Sequence, residues 1–94
     1  MRFEWDARKA ASNLKKHRVS FDEAVTVFRD PLAVIVDDED HSDEERREII
    51  IGRSLVNRLV LICFTQREDG RVRIFSARPL TRNEQKDYEE RKNS

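Results

Sequence analysis

Three arginines, Arg71, Arg73 and Arg78, fall within the eight residues RVRIFSAR. A guanidinium group stays charged at any working pH, and its planar fork binds phosphate or carboxylate through two parallel N–H bonds. Val72, Ile74 and Phe75 are strand formers, so a short strand here devotes several positions to anion-binding groups. His17 follows Lys16 at a predicted helix end. Histidine titrates near neutral pH and can take or give a proton; it can equally bond the last carbonyls of its helix. Lys16 offers a phosphate contact or a solvated charge. The run DDEDHSDEE, residues 37–45, places His41 among carboxylates that could hold Mg²⁺ or Mn²⁺. Its spacing is loose, and charge runs in loops are usually solvated. Cys63 lies inside the apolar run LVLICF and reads as a small buried hydrophobe. Two histidines and one cysteine at these spacings do not make a zinc site.

The bulk composition narrows the function classes. A chain of 94 residues forms a single domain, residues 1–94, with a small core. Lys plus Arg and Asp plus Glu both number 19, so the formal net charge is zero. A protein that holds nucleic acid by bulk charge is basic, so any anionic ligand here must meet a local patch. One cysteine allows no internal disulfide, which suits a reducing compartment. No apolar run approaches the ~18–20 residues that span a membrane, and the N-terminus lacks a signal-peptide pattern. These features predict a cytoplasmic protein with no membrane partner.

Local signals lay out the elements that must position these groups. RFEW, residues 2–5, is a short extended piece. Asp6 caps a helix over 7–17, with Ala7, Ala10, Ala11 and Leu14 on its apolar side. Ser20 and Glu23 form a capping box for a second helix, in which Phe21, Ala24, Val25 and Phe28 face the core until Asp30-Pro31 stops it. Strands are predicted over 31–36, 46–54, 58–65 and 71–78, with turns at 55–58 and at Asp69-Gly70. LVLICF reads as a central strand covered on both faces. Pro79 ends the sheet. Thr81 and Glu84 form a second capping box, opening a C-terminal helix to residue 92 whose one large apolar residue is Tyr88. The class is α+β: an antiparallel meander of about four strands covered by two N-terminal helices.

The ordered series of residues is specific. FEWD (3–6), Lys9, Asn13 and Lys16-His17 precede VSFDEA (19–24), Phe28 and Asp30-Pro31. His41-Ser42, Glu45-Arg46, Ile51-Gly52, RIFSAR (73–78) and the tail Thr81, Arg82, Glu84, Tyr88 follow. From Arg2 to about Glu90 this resembles the BrnT family of bacterial toxins. The resemblance implies a RelE-like fold, a ribonuclease needing no metal and no other cofactor, and neutralisation by a BrnA-type antitoxin that itself binds the promoter DNA. That family usually carries Gly after its Lys-His pair, where Arg18 stands here.

RNA cleavage without metal needs a base for the 2′-OH, cations for the pentacoordinate phosphate and an acid for the 5′-oxygen. With the resemblance, His17, Arg73, Arg78 and Lys16 become the catalytic candidates. Arg46, Trp5 and Arg71 are candidates for RNA contact, and Tyr88 and Arg82 for partner contact. Trp5 can stack on a base or sit in the core; Tyr88 can instead dock the last helix. In a regular strand Arg71 and Arg73 face one side and Arg78 the other, so all three share a face only if a bulge intervenes near Ser76-Ala77. Two other functions fit the residues: a non-catalytic protein that binds an antitoxin and tunes it, and a metal-dependent nuclease using the acidic 37–45 loop.

Overall fold

The computed structural model describes residues 1–41 and 45–92. The caps form as the sequence predicts. The Asp6 carboxylate accepts the Lys9 N–H at 3.0 Å and opens α1 (Ala7–His17). Ser20 Oγ accepts the Glu23 N–H at 2.9 Å and opens α2 (Phe21–Val27). The strands are β1 (Arg2–Glu4), β2 (Val34–Asp37), β3 (Glu48–Arg53), β4 (Leu59–Gln66) and β5 (Arg71–Pro79), followed by α3 (Arg82–Lys92).

One mixed sheet results, in the order β1-β5-β4-β3-β2. β1 runs parallel to β5, with Arg2 opposite Arg71, and the other pairs are antiparallel. This corrects the expected antiparallel sheet of about four strands. RFEW supplies a fifth strand that its short length hides, because its pairing partner is distant in sequence. β4 is central, as its continuous apolar run requires.

Helices α1 and α2 cover one face. Beneath them Ile50, Val60, Ile62, Phe64, Val72, Ile74 and Ala77 pack with Val19, Phe21, Ala24 and Val27. Phe28 stands tilted between Phe3 and Phe64, at ring separations of 5.0 and 5.1 Å. Gly52 lies under the α2–β2 turn, where an added Cβ would sit 2.9 Å from Asp30 Oδ2 and 3.0 Å from Ala33 Cβ.

The apolar side expected of α1 is corrected too. Leu14 is 50% exposed, and the buried position is Asn13. Its Nδ2 donates to Ala77 O at 2.7 Å and Val19 O at 2.9 Å, and its Oδ1 accepts the Ala77 N–H at 3.0 Å. β1 ends at Glu4, opposite Arg73. Beyond that point the Asn13 amide stands where a neighbouring strand would be, satisfying both backbone groups of Ala77. β5 also carries one extra residue. Cys63 faces Ser76 while Phe64 faces Ile74, so Phe75 bulges out of the ladder, just before the expected Ser76-Ala77 position.

Arg18 closes α1 in the left-handed region, φ 60° and ψ 29°, and its N–H donates to Leu14 O at 2.9 Å. Glycine adopts that backbone without the Cβ clash. Arg18→Gly is therefore expected to stabilise the fold by about 1 kcal/mol. Asn13→Ala strands the buried Ala77 groups and is expected to cost about 3 kcal/mol. Urea denaturation of the two variants reads both effects.

Candidate functional site

The bulge decides which side chains share the uncovered face. Thr65 and Leu61 both point to the outer side of β4, and they lie opposite Arg73 and Arg78. The extra residue between them brings Arg71, Arg73, Ser76 and Arg78 to one face, which a regular strand forbids.

A concavity of about 450 Å³ opens on that face. Leu61, Cys63 and Ser76 line it from the sheet, and Lys9 reaches it from the first turn of α1. Arg47, Arg78, Asp38, Asp40 and Glu84 complete its polar lining. The Phe75 ring, turned out by the bulge, carries the Arg47 guanidinium 3.9 Å from its centroid and Lys9 Nζ at 5.5 Å. Both cations face the negative π-cloud, which brings them to one wall.

Arg78 donates a two-pronged bond to Glu84, Nη1 to Oε1 at 2.7 Å and Nη2 to Oε2 at 2.8 Å. Glu84 Oε1 also accepts the Thr81 N–H, and Thr81 Oγ1 accepts the Glu84 N–H, so the capping box of α3 and the ion pair share one carboxylate. The Arg78 bond, with help from Thr81, holds the Glu84 pKa at about 2. Cys63 Sγ donates to Asp38 Oδ2 at 3.2 Å. Burial first, then the Asp38 bond, push the thiol up to about 12, so it stays protonated and is a poor nucleophile.

Of the four catalytic candidates, Arg78 lines this concavity. Arg73 lies along the same face, bonded to Glu4 Oε2 at 3.0 Å. Lys16 and His17 end α1, roughly 12 Å along its axis from Lys9, and neither lines the cavity. Arg71 bonds Asp69 at 2.7 Å and approaches Glu4 at 3.2 Å. Arg46 is an exposed neighbour of Asp37, at 2.9 Å. Trp5 packs edge-on against Phe21 at 5.7 Å in the margin of the core. Tyr88 is buried and donates to Leu32 O at 3.0 Å, docking α3; Arg82 is exposed in the first turn of that helix. Of the acidic loop, Ser42, Asp43, Glu44 and the side chain of His41 lie outside the described residues. Among the described residues no three His, Cys, Asp or Glu side chains are grouped to hold a metal ion.

Lys9, Arg47, Phe75 and Glu84 join the site without having been singled out for it. Lys9, Phe75 and Glu84 belong to the ordered motif series, and that was the one signal that could have raised them. By its type alone Phe75 reads as an ordinary strand residue, and Arg47 is obscured by Arg46 beside it.

Residues 5–84 match the family model described as the ribonuclease toxin, BrnT, of type II toxin–antitoxin systems. The chain belongs to the BrnT family. The crystal structure of the Brucella abortus ribonuclease toxin, BrnT, resembles it with a TM-score of 0.69. That likeness covers 87% of this chain and 99% of that one at 19% identity, so it concerns the fold. A search of curated proteins returned no match. As a member of the BrnT family the chain is the toxin half of a two-protein system, which implies an antitoxin. No helix among the described residues is long and apolar enough to cross a membrane.

The Glu84 pKa lies below its ordinary 4.5, so the Arg78 pair contributes fully above that value and is lost as pH falls toward about 2. Carboxyl NMR titration is expected to place Glu84 near 2, and Arg78→Ala is expected to return it toward 4.5.

Proposed function

We propose that this chain is a metal-independent endoribonuclease toxin that cuts RNA, inhibits translation and arrests growth in the cytoplasm until a BrnA-type, DNA-binding antitoxin neutralises it. Promoter DNA is then reached only through the antitoxin. The same proposal groups the fold with RelE-like toxins, whose helices cover one sheet face and leave the other for RNA. The observation that carries it is the meeting of Lys9, Arg47 and Arg78, from three separate parts of the chain, around one concavity.

In this reading a scissile phosphate replaces Glu84 in the Arg78 fork, since phosphate and carboxylate fit the same two donors. Arg47 and Lys9 balance the charge that builds as the 2′-oxygen attacks phosphorus. The O2′–P bond forms as the 2′-OH proton passes to a base, the P–O5′ bond breaks as the leaving 5′-oxygen takes a proton from water, and the products are a 2′,3′-cyclic phosphate and a 5′-hydroxyl. Two groups compete for the proton-accepting role. Asp40 is exposed and lines the cavity. His17 and Lys16 reach the reaction only if the RNA also follows α1.

Purified protein is expected to cut RNA in EDTA and leave a cyclic phosphate end. Arg78→Ala is expected to lower the rate about 100-fold. Cutting that requires added Mg²⁺ would instead favour the acidic-loop nuclease. Comparing Asp40→Asn with His17→Ala assigns the base: the variant with the larger loss identifies it.

A further inference from the structure

The uncovered face carries a second cationic cluster, apart from the concavity at Arg78. Arg67, Arg71 and Arg73 converge on Glu4: Arg73 Nη1 lies 3.0 Å from Oε2, and Arg71 Nη1 and Arg67 Nε lie 3.2 and 3.5 Å from Oε1. Asp69 holds Arg71 from the other side at 2.7 Å. Three positive groups thus meet two carboxylates, leaving one surplus positive charge. The imbalance in hydrogen bonding is larger. Each guanidinium carries five donors, whereas a carboxylate offers about four acceptor sites. Their side chains are 37, 42 and 29% exposed, so each presents surface to a ligand, while Arg67 Nε and Glu4 Oε1 themselves are buried without a hydrogen bond.

This cluster is in line with the first concavity. Leu61 and Cys63 line the Arg78 cavity, and Thr65, next on the same side of β4, lines a neighbouring one of about 570 Å³ with Arg46, Arg67 and Arg71. Leu61 faces Arg78 and Thr65 faces Arg73, four residues apart on the strand, or about 14 Å. Glu45 and Glu68 edge the second hollow, so anions are disfavoured there except beside the arginines.

We propose that Arg67, Arg71 and Arg73 form a second phosphodiester subsite, which holds the backbone of the same RNA strand about 14 Å from the cleavage cavity. This rests on the ribonuclease reading. Glu4 occupies the subsite when RNA is absent and positions the three forks. A flanking phosphate competes with Glu4 for them, so the subsite sets a minimum substrate length rather than the chemistry.

The test is binding of a single-stranded 2′-O-methyl RNA oligonucleotide, which lacks the attacking hydroxyl, followed by fluorescence anisotropy over a salt series. Arg67→Gln and Arg73→Gln are each expected to weaken binding several-fold and to flatten the log Kd against log salt slope by about 0.7. Glu4→Gln is expected to tighten binding, because it removes the competing carboxylate. A purely structural ion-pair cluster predicts no change in slope for Arg67→Gln and no gain for Glu4→Gln; either result overturns the subsite. If Glu4→Gln fails to melt cooperatively, the slopes of Arg67→Gln and Arg73→Gln decide. Arg78→Ala separates the two readings. Weakening by Arg78→Ala alone sinks the subsite and spares the cleavage cavity, whereas a wild-type protein that does not bind the oligonucleotide sinks both.

Discussion

A single inserted residue governs the open face of this sheet. Side chains alternate along a strand, so the five-residue step from Arg73 to Arg78 should send the two arginines to opposite sides. Phe75 adds one position to β5 without a partner on β4, and the alternation resets. Ile74 and Ala77 both stay buried under the helices, while Ser76 and Arg78 turn outward with Arg73. Such an insertion breaks the ladder locally, and two contacts hold it. The Asn13 amide takes both backbone groups of Ala77 just beyond the bulge. On the other side the expelled Phe75 ring lies against the Arg47 and Lys9 cations. One helix residue and one strand residue therefore position the cationic wall together.

The charges on this face are carried by the fold more than they hold it together. Arg46, Arg71, Arg73 and Arg78 each have a carboxylate within bonding distance. Pairs this exposed contribute little stability; the Arg58–Glu23 pair, which also reaches Ser54 and the end of α1, is the best enclosed. Stability comes instead from the apolar layer under α1 and α2 and from Asn13. This is how a chain of zero net charge gathers cations on one face. Each arginine is held by an acid, and under the proposed function a phosphate takes that acid's place, so bulk charge is not needed.

The last helix fits the same pattern. α3 is polar on nearly every side, so it cannot pack broadly. It is held by Tyr88, buried and bonded to Leu32 O, and by Glu84, which serves its own cap and the Arg78 fork at once. The attachment of α3 and the availability of Arg78 are thereby coupled through one carboxylate.

Much of the framework was legible in the chain itself. Asp6, Ser20 and Thr81 mark helix starts because capping is a contact over three residues, and the continuous apolar run LVLICF marks the central strand, although only Val60, Ile62 and Phe64 lie under the helices while Leu61 and Cys63 line the concavity on the other face. The motif series placed the chain in its family. Long-range pairing left no such local trace. β1 has three residues and pairs with a strand at the far end of the chain, so no local pattern announces it. Asn13 is a polar residue on a helix whose apolar pattern points to the alanines and Leu14, and its role is hidden because its partners, Val19 and Ala77, lie outside that helix. The position of the bulge, and with it the convergence of Lys9, Arg47 and Arg78, depends on how β4 and β5 align. Sequence by itself determined which groups could bind an anion; only the tertiary structure decided which of them share a face, because side-chain direction is set by strand register, and register by contacts between distant residues.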